Sequence, residues 1–183
     1  MDYKSSERLL KEWIKSREGN VCIHRTNTKY DLEFPVTNKS VLGSLISHYS
    51  MVMSLDGKIR LFGGDDNERA SLFSINRLRN GKETLIPGLL VVADDICGGI
   101  YAINNGFIKN ASRGNVVFLP ANSVTFEDLE IGHADFVHWC MTVSESNWLQ
   151  GGWKNSDKNM RNLREADEYI QAKLTVLNDL RRS

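Results

Sequence analysis

Two acidic pairs sit beside glycine pairs in this chain: Asp65-Asp66 follows Gly63-Gly64, and Asp94-Asp95 precedes Gly98-Gly99. Adjacent carboxylates are costly to bury without partners, and in solvent they can grip a basic partner. If all four converge, they could also hold a hard cation through oxygen ligands. The plainer alternative at Asp94-Asp95 is a strand end whose carboxylates accept backbone N–H bonds in the Gly98-Gly99 turn. At Asp65-Asp66 it is a solvated loop. Asp65, Asp66, Asp94, Asp95, Gly98 and Gly99 are therefore the candidate binding residues. No catalytic or metal-ligating set is assigned.

Other chemistries lack their patterns. Cys22, Cys97 and Cys140 are far apart, with no C-x-x-C pair, so neither a disulfide framework nor a zinc ribbon is expected. Cys22 and His24 would share one face of a strand. The glycine pairs make no phosphate-cradling loop with Lys and Ser/Thr, and no G-x-S-x-G elbow is present. No cofactor is expected. Lys+Arg and Asp+Glu are both 23, so there is no broad positive field for nucleic acid. The N-terminus has no apolar signal core and no apolar run approaches a membrane span. The expectation is a cytoplasmic chain with no membrane partner.

The elements that would carry these residues follow from periodicity. The run Leu89–Ala93, bounded by Gly88 and Asp94-Asp95, reads as a strand covered on both faces. Ile100–Ile103 is the next strand. Asn104-Asn105-Gly106 signals a tight hairpin, with the return starting at Phe107-Ile108, and Val116–Leu119 follows. Met51–Met53 and Ile59–Phe62 flank Asp56-Gly57 as another hairpin. Short strands are expected at Val21–Ile23 and Val124–Phe126. Helices are expected over 5–17, 41–49 with Ser40 as cap, 71–79, 134–143 and within 157–182. Trp148 and Trp153 lie in a Gly-rich link and could form a binding surface or cover a sheet edge.

Several segments carry a resemblance. Val36-Thr37 to Leu45, Gly57–Gly63, Leu89–Gly106, Gly114-Asn115-Val116 and Phe126 to Trp139 together resemble a bacterial family of small proteins, a domain of unknown function. The LLVVADD strand, Gly-Gly break and Asn-Gly turn are its most specific part. The C-terminal charged helix departs from that pattern. More remotely, the layout is similar to the SUKH superfamily of cell-wall regulators and toxin-neutralising immunity proteins. That likeness implies non-catalytic binding of another protein.

The expectation is thus a single α+β domain over 1–183, an antiparallel sheet with helices packed on one side, and 156–183 as a C-terminal helical extension. Its function would be that of a non-enzymatic protein-binding module, of immunity type in its most specific form. The acidic turns would form the contact rim, so that neutralising them weakens binding but not stability. The alternatives are a small enzyme or metal-dependent hydrolase using those carboxylates, and a homo-oligomer held through the C-terminal helix.

Overall fold

The computed structural model describes residues 4–17, 21–26, 36–37, 39–54, 58–65, 69–77, 84–142 and 163–182. Seven strands form one sheet in chain order, every neighbouring pair antiparallel. They are β1 (Cys22–Arg25), β2 (Tyr49–Ser54), β3 (Ile59–Phe62), β4 (Leu89–Asp95), β5 (Ile100–Asn104), β6 (Asn115–Leu119) and β7 (Glu127–Gly132). The helices are α1 (Lys4–Ser16), α2 (Val41–His48), α3 (Leu72–Asn76), α4 (His133–Thr142) and α5 (Leu163–Arg182). The α+β class and the antiparallel meander are as expected. Trp148, Trp153 and the link around them lie outside the described residues.

Helices cover both faces of the sheet, not one. All four residues of β3 are buried, and successive strand residues point to opposite faces. Leu61 lies beside Ala93, which pairs with Tyr101; Phe136 of α4 packs on the Tyr101 ring, with centroids 5.0 Å apart. Arg60 points the other way and reaches Asp167 of α5. α1, α2 and α4 pack together, whereas α3 meets β4 and α5. The apolar stripe of α5 belongs to this core: Ile170, Leu174 and Leu177 are buried against the body of the fold.

Local chemistry sets the boundaries. Ser40 caps α2 by accepting the Gly43 N–H at 3.0 Å. Ser71 and Ser74 form a reciprocal capping box at α3, and Arg77 closes that helix in the left-handed region at φ 47°. Asn76, also buried, donates to Val91 O and accepts from Val91 N, both at 2.8 Å. It ties α3 to β4 at the register shift between Val91 and Ala93.

Two sequence-derived boundaries need correction. β7 begins at Glu127, so Val124–Phe126 precedes the strand. The chain also does not return at Phe107-Ile108. Residues 105–114 form a longer loop, and β6 starts at Asn115. Asn104, fully buried, organises it. Its Nδ2 donates to the carbonyls of Ile108 and Ala111 at 3.0 and 2.9 Å, and its Oδ1 accepts from Ile108 N at 2.9 Å. The Asn side chain thus supplies the partners that a two-residue turn would have supplied from backbone.

Candidate functional site

Asp94 and Asp95 do not end the strand ahead of solvent. Both belong to β4 and both are buried, at 4% and 6% exposure. Strand alternation sends them to opposite faces, so the pair makes no common acidic patch. Each has found its own partners.

Asp94 faces Arg60 on the neighbouring strand, directly opposite in register. Arg60 Nε donates to Oδ1 at 2.9 Å and Nη2 to Oδ2 at 2.7 Å. The third guanidinium nitrogen, Nη1, donates to Asp167 of α5 at 2.5 Å. Phe62 stacks under the same guanidinium, 4.9 Å from its carbon to the ring centroid. Burial pulls the Arg60 pKa down, but the two carboxylates outweigh it and hold the value above the ordinary one. Burial pushes Asp94 up, and Arg60 opposes the rise without cancelling it. Two donors on two oxygens leave no place for a carboxyl proton facing Arg60, so the fork holds Asp94 ionised.

Asp95 looks to the α4 side. Its Oδ1 accepts the N–H groups of Cys97 at 2.8 Å and Gly99 at 2.9 Å, and its Oδ2 accepts the Tyr101 hydroxyl at 3.1 Å. This is the turn-bracing role that the plainer reading assigns it. Burial lifts its pKa to about 6 despite those donors. Gly99 is needed for close approach: a Cβ there would lie 2.3 Å from Asp95 Oδ2 and 2.6 Å from Phe118 Cε2. Gly98 sits at φ 87° under the Tyr169 ring, and a Cβ would meet Tyr169 Cε1 at 2.8 Å. Lys173 completes this end of the sheet by donating to the carbonyls of Pro120 and Ala121 at 2.7 and 2.9 Å.

Asp65, of the other acidic pair, does reach solvent. Gly63 and Gly64 are buried, and their N–H groups donate to Ser50 and Tyr49. Asp65 then emerges half-buried. Its carboxylate accepts the Ser71 hydroxyl, and its carbonyl accepts Thr26 Oγ1. Asp66 lies outside the described residues. Asp65 lines a surface cleft of about 390 Å³ with Arg69, Ser74, Asp167 and Gln171 among its walls. Gln171 joins the two sides: it donates to Ser74 O and accepts from Arg77 Nε.

The described carboxylates of the two pairs, Asp65, Asp94 and Asp95, therefore do not converge. Among the described residues no group of three or more His, Cys, Asp or Glu is placed to hold a metal ion. Cys22 and His24 do share a face, at 3.5 Å from Sγ to Nε2 on the exposed strand β1. Cys140 is enclosed, and burial pushes its thiol well above the usual value.

A sequence profile described as "Protein of unknown function DUF2625" matches residues 2–175. The chain belongs to this family. An uncharacterized protein of Haemophilus influenzae is 28% identical over 163 residues, which is 84% of this chain and 70% of the relative. The putative uncharacterized protein YbfG of Escherichia coli is 23% identical over 140 residues, 73% of this chain and 62% of that protein. No solved structure matches the chain. Among the described residues no helix is long and apolar enough to cross a membrane.

Arg60 and Asp167 escaped the sequence reading. Arg60 did leave a signal: a lone cation inside the apolar run Ile59–Phe62 must carry a buried partner. Asp167 left none, because it sits 107 residues away on a helix that already carries many charges.

Proposed function

We propose that this DUF2625 chain is a non-enzymatic protein-binding module that docks its partner at the Asp65-Asp66 turn. Asp94, Asp95, Gly98 and Gly99 build the scaffold beneath that surface and do not touch the partner. The cleft lined by Asp65, Arg69 and Asp167 carries this reading, because there charged side chains from distant parts of the chain meet at an open concavity. The occupant would offer a basic side chain to Asp65, next to the Asp167 carboxylate that already receives Arg60. An immunity-type role, which the likeness to SUKH proteins implies, would make that occupant a toxin.

The hydrolase alternative has less support. It needs clustered carboxylates, and two of the four are committed to Arg60 and to the Gly99 turn. The oligomer alternative relies on an α5 stripe that is largely spent on the chain's own core. The test is comparative affinity capture from the native cell with wild type, Asp65→Arg and Asp66→Arg. A partner captured by wild type and lost from the variants supports the reading. Equal capture by all three sinks it. A rise in melting temperature with divalent ions would favour the hydrolase instead.

A further inference from the structure

A second concavity lies away from the acidic cleft, between the 105–114 loop and the C-terminal half of α5. Its volume is about 560 Å³, within the range of small-molecule sites. Phe107 and Phe126 form its floor edge to face, with centroids 5.9 Å apart. Val124 and Leu180 line it while 67% and 57% exposed, so apolar side chains face an open groove. Among the described residues its charged lining side chains are Lys109 and Arg181, with no carboxylate in the wall. Arg181 lies over the Phe107 ring at 6.0 Å. The formal net charge of the chain is zero, which makes this pairing of cations with exposed hydrocarbon a local feature.

We propose that the groove is a binding site for a small monocarboxylate with a hydrocarbon tail. The tail lies on Phe107, Phe126, Val124 and Leu180, and the carboxylate sits between Lys109 and Arg181. An alcohol of equal length would lose the ionic contacts, and an amine would be repelled. A phosphate without a tail would leave the apolar floor wet. The proposal is independent of the acidic cleft and does not rest on the protein-binding reading.

The experiment titrates the full chain with decanoate by isothermal calorimetry, with decan-1-ol, inorganic phosphate and anionic phospholipid vesicles as parallel arms. Saturable decanoate binding stronger than that of decan-1-ol is expected. Lys109→Glu/Arg181→Glu should weaken it about tenfold, the effect of reversing two largely exposed charges, without lowering the melting temperature. Val124→Ser, which adds no charge, should weaken it through the apolar lining alone. Decanol binding as well as decanoate, both variants binding like wild type, binding of phosphate or vesicles in preference to decanoate, or no saturable binding would each overturn the proposal.

Discussion

Replacing Asp94 with Asn keeps the side-chain shape and removes one unit of charge. The amide then presents N–H₂ where Arg60 has only N–H donors. Arg60 is 4% exposed and cannot turn to water. It keeps one carboxylate, Asp167, whose side chain is 27% exposed. Removing one partner of a buried ion pair typically costs about 3–5 kcal/mol. The surviving Asp167 contact lowers the expectation to roughly 2–4 kcal/mol, or about 4–16 °C in melting temperature for a chain of this size. Urea denaturation of Asp94→Asn reads this as a lower midpoint at unchanged slope. Arg60→Met/Asp94→Leu should recover much of the loss, because hydrophobic replacement of a whole buried pair is often neutral. A loss below about 0.5 kcal/mol for Asp94→Asn, the range of ordinary surface changes, would refute the view that this pair is a structural hub. The sequence alone suggests the reverse outcome, a contact residue with little effect on stability.

Asp95 and His133 should give opposing pH slopes. Asp95 is raised to about 6 by burial, so between about pH 4 and 6 the folded chain holds a proton that the unfolded chain has released, and stability falls as pH rises. His133, whose Nε2 is buried without a partner, is lowered by burial to about 4. Between about 4 and 6.5 the unfolded chain holds the extra proton, and stability rises with pH. Asp95→Asn should uncover the rising slope and His133→Gln the falling one, as read by denaturant melts across that window; parallel curves for the two variants would contradict both assignments. Gly99→Ala should cost about 1–3 kcal/mol or more by overpacking against Asp95 and Phe118, and a wild-type midpoint would show that the turn can open.

The sheet was legible where burial is two-sided. Leu89–Ala93, Ile100–Ile103 and Val116–Leu119 are apolar runs because both faces are covered, and each appears as a strand. The same condition hid the ends. Asp94 and Asp95 look like solvent-facing residues until their partners are known, and Arg60 is 34 residues distant. The long loop after β5 was hidden for a related reason: Asn104 and Gly106 read as a hairpin, while the Asn104 side chain bonds residues up to Ser112. Helices on both faces were already implied by those two-sided runs, and β3, with no exposed position among its four residues, needs the same cover above and below. Asp65 was legible as a surface turn. Its companions in the cleft, Arg69 and Asp167, come together only through the docking of α5 on α3.

Affinity capture with Asp65→Arg beside Lys109→Glu/Arg181→Glu tests the central account most directly, because one variant alters the acidic cleft and the other leaves it intact. The account predicts a protein partner retained by wild type and by the groove variant and absent from Asp65→Arg, with all three chains melting alike. Undiminished capture by a folded Asp65→Arg chain would contradict it.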